Sequence, residues 1–312
     1  MPIREFFHLI HIVDDFDEAE QRYAALLSPA TYVPKHWGDF DKRWASLARI
    51  GPDFVLELME PGIAPEDQGA PLPKFRNRHG QHLHSFAWLV DAQDLRPLAA
   101  RMHRRGVRVL DPYSVLYQEG PNDGEAATFF THPKDTFGQL EFHGVAPDGG
   151  HHRQALPADA ATFWRDEHPL GIEGTSHLTT VVADLDRGRQ FYEEILDAPA
   201  FLEETSDVRR SAFVMVGTET IVELAQPTTT DSPLARDLAE HGELPHALTF
   251  RVRDLDAAER HVETTGIRVA DRSGDTLALE PEDMFNAHIA FTTRRLPHDP
   301  RHAQRETDGA RG

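Results

Sequence analysis

Four residues set the chemistry to look for: His8, Glu57, His84 and Glu141. Two offer imidazole nitrogen and two offer carboxylate oxygen. Glu57 lies in the apolar run DFVLELM (53–59), and Glu141 lies between Leu140 and Phe142. A carboxylate in such a strand is costly to bury unless it is paired or ligates a metal; the plainer alternative is an exposed strand end. The chain has no Cys, so a metal would rest on nitrogen and oxygen alone, which suits Fe(II), Mn(II), Co(II), Ni(II) or Zn(II). An ion held this way binds two adjacent oxygens of a small substrate and stabilises an enolate or oxyanion. With Glu141 or Glu57 as catalytic base, proton transfer next to a carbonyl follows: isomerase, epimerase or lyase chemistry.

The elements that must position these residues are repeated. HLIHIVDDFDEAEQRYAALL (8–27) returns without a gap as HLTTVVADLDRGRQFYEEIL (177–196), aligning His8 with His177 and Tyr23 with Tyr192. A second repeat relates LHSFAWLV (83–90) to PHALTFRV (245–252), aligning His84 with His246. The chain is thus four units in the order A-B-A′-B′, near 5–62, 82–146, 174–228 and 244–293. Each reads as strand, Asp-bounded turn, amphipathic helix and short strands. The expected fold is α+β: four βαβββ modules paired into two domains, each a curved mixed sheet enclosing a cleft with helices outside. The domains are expected at 1–146 and 174–293, with a linker at 147–173 holding a short helix near Ala158–Arg165. A loop is expected at 63–81, and a disordered tail at 294–312.

Strand alternation fixes which side chains can meet in a cleft. If Val13 packs on the helix, His8 faces the open side, and Val55, Glu57 and Met59 share one face of their strand. Glu223 in IVEL holds the place in the third unit that Glu57 holds in the first. His8 and His177 each precede their strand's final Val by five residues, whereas His84 precedes Val90 by six. In strict register Ser85 takes the cleft-facing slot. Either both B-type units carry a bulge or that ligand is lost in both, with His82 as a substitute. Aligning Phe291 with Phe142 sets Ala290 against Glu141, so the second half keeps only His177, Glu223 and His246, with His288 as a replacement. That half is expected to hold a degenerate site.

Composition narrows the partners. A formal charge of −20 repels a phosphate backbone or an anionic membrane, leaving a small molecule as the expected partner. No apolar run is long enough for a membrane span and Met1–Phe7 does not read as a signal peptide, so a cytoplasmic monomer or homodimer is expected.

The four βαβββ units, with His on first strands and Glu on closing strands, resemble the vicinal oxygen chelate superfamily of glyoxalases, methylmalonyl-CoA epimerases, type I extradiol dioxygenases and antibiotic-resistance proteins. THPKDTFGQLEF (131–142) is similar to the closing strand of methylmalonyl-CoA epimerases, while the four-unit length resembles extradiol dioxygenases. The resemblance covers nearly all of 5–293 and implies metal ligands at His8, Glu57, His84 and Glu141. Where extradiol enzymes carry a Tyr before the ligand Glu, this chain has Phe130, with Tyr117 and His132 nearby in sequence. An Fe(II) dioxygenase is therefore the second reading, and a metal-free protein that sequesters a small molecule is the third. The loop 34–44, PKHWGDFDKRW, is expected to lid the cleft, with Trp37 stacking on substrate and Lys35 or Arg43 meeting a carboxylate. The linker stretch Trp164–Gly171 is a second candidate cover.

Overall fold

The structure is a computed structural model that describes residues 3–117, 127–145 and 162–301. The first half runs β1 (Ile3–Ile12), α1 (Phe16–Leu27), β2 (Ala30–Gly38), β3 (Arg43–Ile50), β4 (Phe54–Pro61), α2 (Pro71–His79), β5 (His82–Asp91), α3 (Ala92–Arg104), β6 (Val109–Leu110), β7 (Thr128–Thr131) and β8 (Gln139–Val145). The second half repeats it: β9 (Ile172–Val181), α4 (Leu185–Leu196), β10 (Ala200–Thr205), β11 (Arg209–Val216), β12 (Thr220–Pro227), α5 (Pro233–His241), β13 (Pro245–Val252), α6 (Leu255–Thr265), β14 (Val269–Ser273), β15 (Thr276–Leu279) and β16 (His288–Thr292). Each half forms one open eight-stranded sheet, in the orders β2-β3-β4-β1-β5-β8-β7-β6 and β10-β11-β12-β9-β13-β16-β15-β14.

Within a module the first and last strands pair in parallel, as β1 does with β4 and β5 with β8; the two modules then meet antiparallel along β1–β5. The Asp turns act as helix caps. Asp15 accepts from Glu18 N, Asp184 from Asp186 N and Arg187 N, and Asp254 from Asp256 N and Ala257 N, satisfying amides that a helix start leaves open. In β1 and β4, Leu9, Val13, Leu56 and Leu58 join the helix-side core, while Ile10, Ile12 and Met59 pack with Leu72 on the opposite face. His8 and Glu57 therefore share the cleft face.

Three segments differ from the sequence expectation. Residues 63–81 contain α2, and 229–243 contain its repeat counterpart α5. Their prolines fall in the first turn, where a missing N–H costs nothing. The expected lid at 34–44 is instead mostly the β2–β3 hairpin, with Trp37 opposite Trp44. The tail is fixed as far as Arg301: Leu296 packs with Phe213 and Ile221, and the Arg301 guanidinium donates to Thr175 O and Ser176 O. Residues 302–312 lie outside the described residues, as does 146–161, which takes in most of the expected linker and the start of its helix.

The two halves share one continuous apolar core running from Ile3 to Phe291. Phe54 packs edge-on against Phe250 at 5.4 Å. Trp164 is buried and donates to Leu27 O at 2.8 Å, at the end of α1, so it plugs the junction and covers neither cleft. Among the described residues, no helix is long and apolar enough to cross a membrane.

Candidate metal centre

His8, on the central strand β1, is 3% exposed. Its Nε2 lies 3.1 Å from Glu57 Oε2 and 3.5 Å from Glu141 Oε2. Neither of its ring nitrogens makes a directed hydrogen bond. A buried imidazole is normally satisfied. Here two carboxylates converge on Nε2 while Nδ1 has no partner among the described residues. Burial lowers the His8 pKa, but Glu57 and then Glu141 outweigh it, and the net direction is upward.

Glu141 is shared by three neighbours. Its Oε1 accepts from Ser85 Oγ at 2.5 Å, and its Oε2 lies 3.4 Å from His143 Nε2 as well as near His8. Burial raises its pKa, yet the contacts with His143 and His8 bring it below the usual carboxylate range. One ligand atom each from His8, Glu141 and His143 lies within 4.8 Å of the others, a spacing that can close on one ion. Glu57 is held from its other oxygen by Arg43 Nη2 at 3.2 Å, and Arg43 Nη1 meets Asp41 at 2.6 Å. Burial pushes the Asp41 carboxyl up to about 6 even beside Arg43. The cavity in front of these groups measures about 240 Å³ and is also lined by Phe7, Met59, His84 and Phe130.

In the C-terminal cleft, around a cavity of about 230 Å³, the carboxylate is already engaged. Glu223 accepts from Thr179 Oγ1 at 2.7 Å and Ser211 Oγ at 2.6 Å, and pairs with Arg209 Nε at 3.2 Å. Its pKa falls despite burial, chiefly through Arg209. His177 Nε2 stands 3.6 Å away, and burial lowers its pKa to about 4. Glu141 pairs across the sheet with Ala87, and Ala290 pairs with the matching Thr249, so the register is kept and the carboxylate is replaced by Ala290.

A family model of the Glyoxalase/Bleomycin resistance protein/Dioxygenase superfamily matches residues 176–280. No curated protein sequence matches the chain. Among solved structures, a mutant of 4-hydroxymandelate synthase from Streptomyces coelicolor aligns over 98% of this chain and 100% of its own, with a TM-score of 0.66 at 16% identity. The chain has the vicinal oxygen chelate fold. Methylmalonyl-CoA epimerase from Mycobacterium tuberculosis is 27% identical over 39% of this chain and 87% of its own, with a TM-score of 0.37. A Streptomyces coelicolor methylmalonyl-CoA epimerase variant is 24% identical over 40% of this chain and 99% of its own, with a TM-score of 0.38.

Within this fold, the residues singled out from sequence divide clearly. His8, Glu57, His84, Glu141, Arg43 and Phe130 line one cavity. The β1–β5 register shifts between Leu9 and His11, which face Phe86 and Leu83, so β5 carries an extra residue around His84–Ser85. β13 shifts likewise between Pro245 and Ala247, at His246. Both B-type modules are bulged. The bulge turns His84 into the cavity wall without completing a ligand set: its Nδ1 bonds Ser85 Oγ at 3.0 Å, and burial lowers its pKa to about 4. Ser85 takes the place beside Glu141. His82 points elsewhere, at Asp237 of the second half.

Lys35 is drawn off by Asp17 at 2.5 Å and Trp37 Nε1 by Asp39 at 2.9 Å, so neither lines the cavity. His132 caps Lys134 N and Tyr117 packs against the core, both away from the cleft. His246 is held by Asp237 Oδ2 at 2.6 Å and stacks on His288 at 4.2 Å. His143 was the residue that sequence reasoning passed over. It follows Glu141 by two in QLEFH, and period-two alternation puts both on one face.

Proposed function

We propose that the N-terminal cleft is a divalent-metal site acting on a small substrate that presents two neighbouring oxygens, by proton transfer next to a carbonyl. One observation supports this reading: buried His8 turns Nε2 toward Glu57 and Glu141, and one atom each of His8, Glu141 and His143 lies within 4.8 Å of the others. The donor set fits an ion of the Fe(II), Mn(II), Co(II), Ni(II) or Zn(II) type. His8, Glu141 and His143 are the residues to hold it. When bound, such an ion supplies Lewis-acid stabilisation of negative charge on a substrate oxygen.

The chain's own groups do the rest. Arg43 fixes Glu57 from one side, leaving a preorganised carboxylate at the cavity wall to take a proton from the substrate carbon. Ser85 orients Glu141 through a charge-assisted hydrogen bond. Asp41, with its pKa near 6, can hold or release a proton around neutrality. Phe7, Phe130 and Met59 keep the cavity largely apolar around these groups.

A second reading rests on the donor count. Two imidazoles and one carboxylate with open positions is the ligand set used by non-haem Fe(II) oxygenases, and the likeness to 4-hydroxymandelate synthase spans the whole architecture. Phe130 in place of a hydroxyl-bearing residue argues against ring cleavage of a catechol.

Metal analysis of protein purified without chelators tests both. His8→Ala should lose one ion per chain relative to wild type, while His177→Ala keeps it. Equal loss in both variants, or no ion in the wild type, would falsify the N-terminal site; a wild type without any ion would leave a metal-free binding protein. Colour formation with simple catechols in air, by an iron-loaded protein, would move the second reading to first place.

A further inference from the structure

Where the two halves meet, the repeat brings its own helix ends together. PLPKFRNRHG (71–80) and PLARDLAEHG (233–242) are equivalent, so α2 and α5 each finish in His-Gly. Across the junction His79 Nδ1 and His241 Nδ1 stand 3.3 Å apart. The repeat keeps Pro, Leu, His and Gly at its ends and diverges between them. The position held by Phe75 in α2 is Asp237 in α5, which introduces a buried carboxylate among imidazoles.

We propose that His82, Asp237 and His241 form a second divalent-metal site, joining the N-terminal half to the C-terminal half. His82 Nε2 lies 2.9 Å, and His241 Nε2 3.9 Å, from the same oxygen, Asp237 Oδ1. All three ligand atoms lie within 4.8 Å of one another. Asp237 and His241 occupy positions i and i+4 of α5, so one helix face presents both.

The outer contacts are those a metal site uses to aim its ligands. His82 Nδ1 donates to Leu83 O at 2.8 Å, which aims Nε2 at Asp237 Oδ1, where it donates at 2.9 Å and where an ion would take the place of that proton. The second carboxylate oxygen, Oδ2, accepts from His246 Nδ1 at 2.6 Å, leaving Oδ1 for an ion. His79 contacts the Nδ1 of His241, the nitrogen that the site does not need.

Three protein ligands facing a cavity of about 530 Å³ leave room for water or a small anion to complete the shell. Arg78 and Arg236 line that cavity and favour the anion. A donor set richer in imidazole than in carboxylate selects Zn(II), Ni(II) or Co(II) over Mg(II) or Ca(II). Since its ligands come from both halves, the ion would pin their relative position.

This proposal does not depend on the N-terminal site, and the experiment separates the two. Calorimetric titration of Zn(II) into full-length His8→Ala, where the first site is disabled, should show one remaining equivalent. Adding His241→Ala to that background should weaken this binding by about a hundredfold, since losing even an outer-shell partner costs about 10–100-fold. His241 is the last residue of α5, so the variant should melt like its parent without metal; the near-isosteric Asp237→Asn provides an independent version. Co(II) should give visible d–d absorption in His8→Ala that vanishes in both double variants. No Zn(II) equivalent in His8→Ala, or an equivalent that survives both substitutions, overturns the interface site whatever the N-terminal cleft does.

Discussion

Acid should weaken this protein through a histidine that lies outside both proposed metal sites. His11 is fully buried on the helix side of β1, with Nδ1 2.8 Å from Tyr23 OH and Nε2 3.0 Å from Phe285 O. The carbonyl can only accept, so Nε2 carries the proton and Nδ1 accepts from the tyrosine. A second proton has nowhere to go without breaking that bond, and burial lowers the pKa from 6.5 to about 4. The folded state therefore resists a proton that the unfolded chain accepts. Stability from this residue is fully present above pH 6.5 and is lost as pH falls toward 4. Between pH 7 and 4.5, the two pKa values correspond to a loss of about 2 kcal/mol. Other buried histidines titrate in the same window, so the contribution must be isolated. His11→Gln keeps a donor for Phe285 O and cannot titrate. Urea unfolding at both pH values should show the wild type losing about 2 kcal/mol more than the variant. Equal losses in the two proteins would refute the assignment.

Two further substitutions probe the frame around the site. Arg43→Met strips the counter-charge from Asp41 and Glu57, both buried, and should cost about 3–5 kcal/mol; the deficit should shrink when a divalent ion is added. An unchanged melting temperature would show that the carboxylates do not need the arginine. Gly217→Ala should destabilise by about 2 kcal/mol, because φ is +69° and a Cβ there would stand 2.6 Å from Arg4 O at the contact between the halves. A wild-type urea midpoint in that variant would show that the turn yields freely.

The sheet frame was legible because each module obeys a local rule that leaves a mark in the sequence. Alternation put His8 and Glu57 on one face, and Asp caps marked where three of the helices start. The register of Ala290 against Glu141 also followed from simple alignment. What escaped notice depended on partners remote in sequence. His82 reads as a spare ligand for its own sheet, but its partner Asp237 lies on a helix in the other half. Lys35 and Trp37 look poised for substrate until Asp17 and Asp39 are seen to claim them. The helices α2 and α5 were obscured by prolines that break a helix in its middle but suit its first turn. His143 was recoverable, since the alternation that selected Glu141 selects it too.

The continuous core has a consequence for synthesis on the ribosome. Phe54 and Leu27 belong to the first half, but Phe250 and Trp164 that cover them are made later. The first sheet must therefore wait with an apolar face bare until translation has passed residue 250. During that interval it is open to association with a neighbouring nascent chain. Expressed alone, the first half should expose that same face and self-associate, so neither sheet is finished until both have been made.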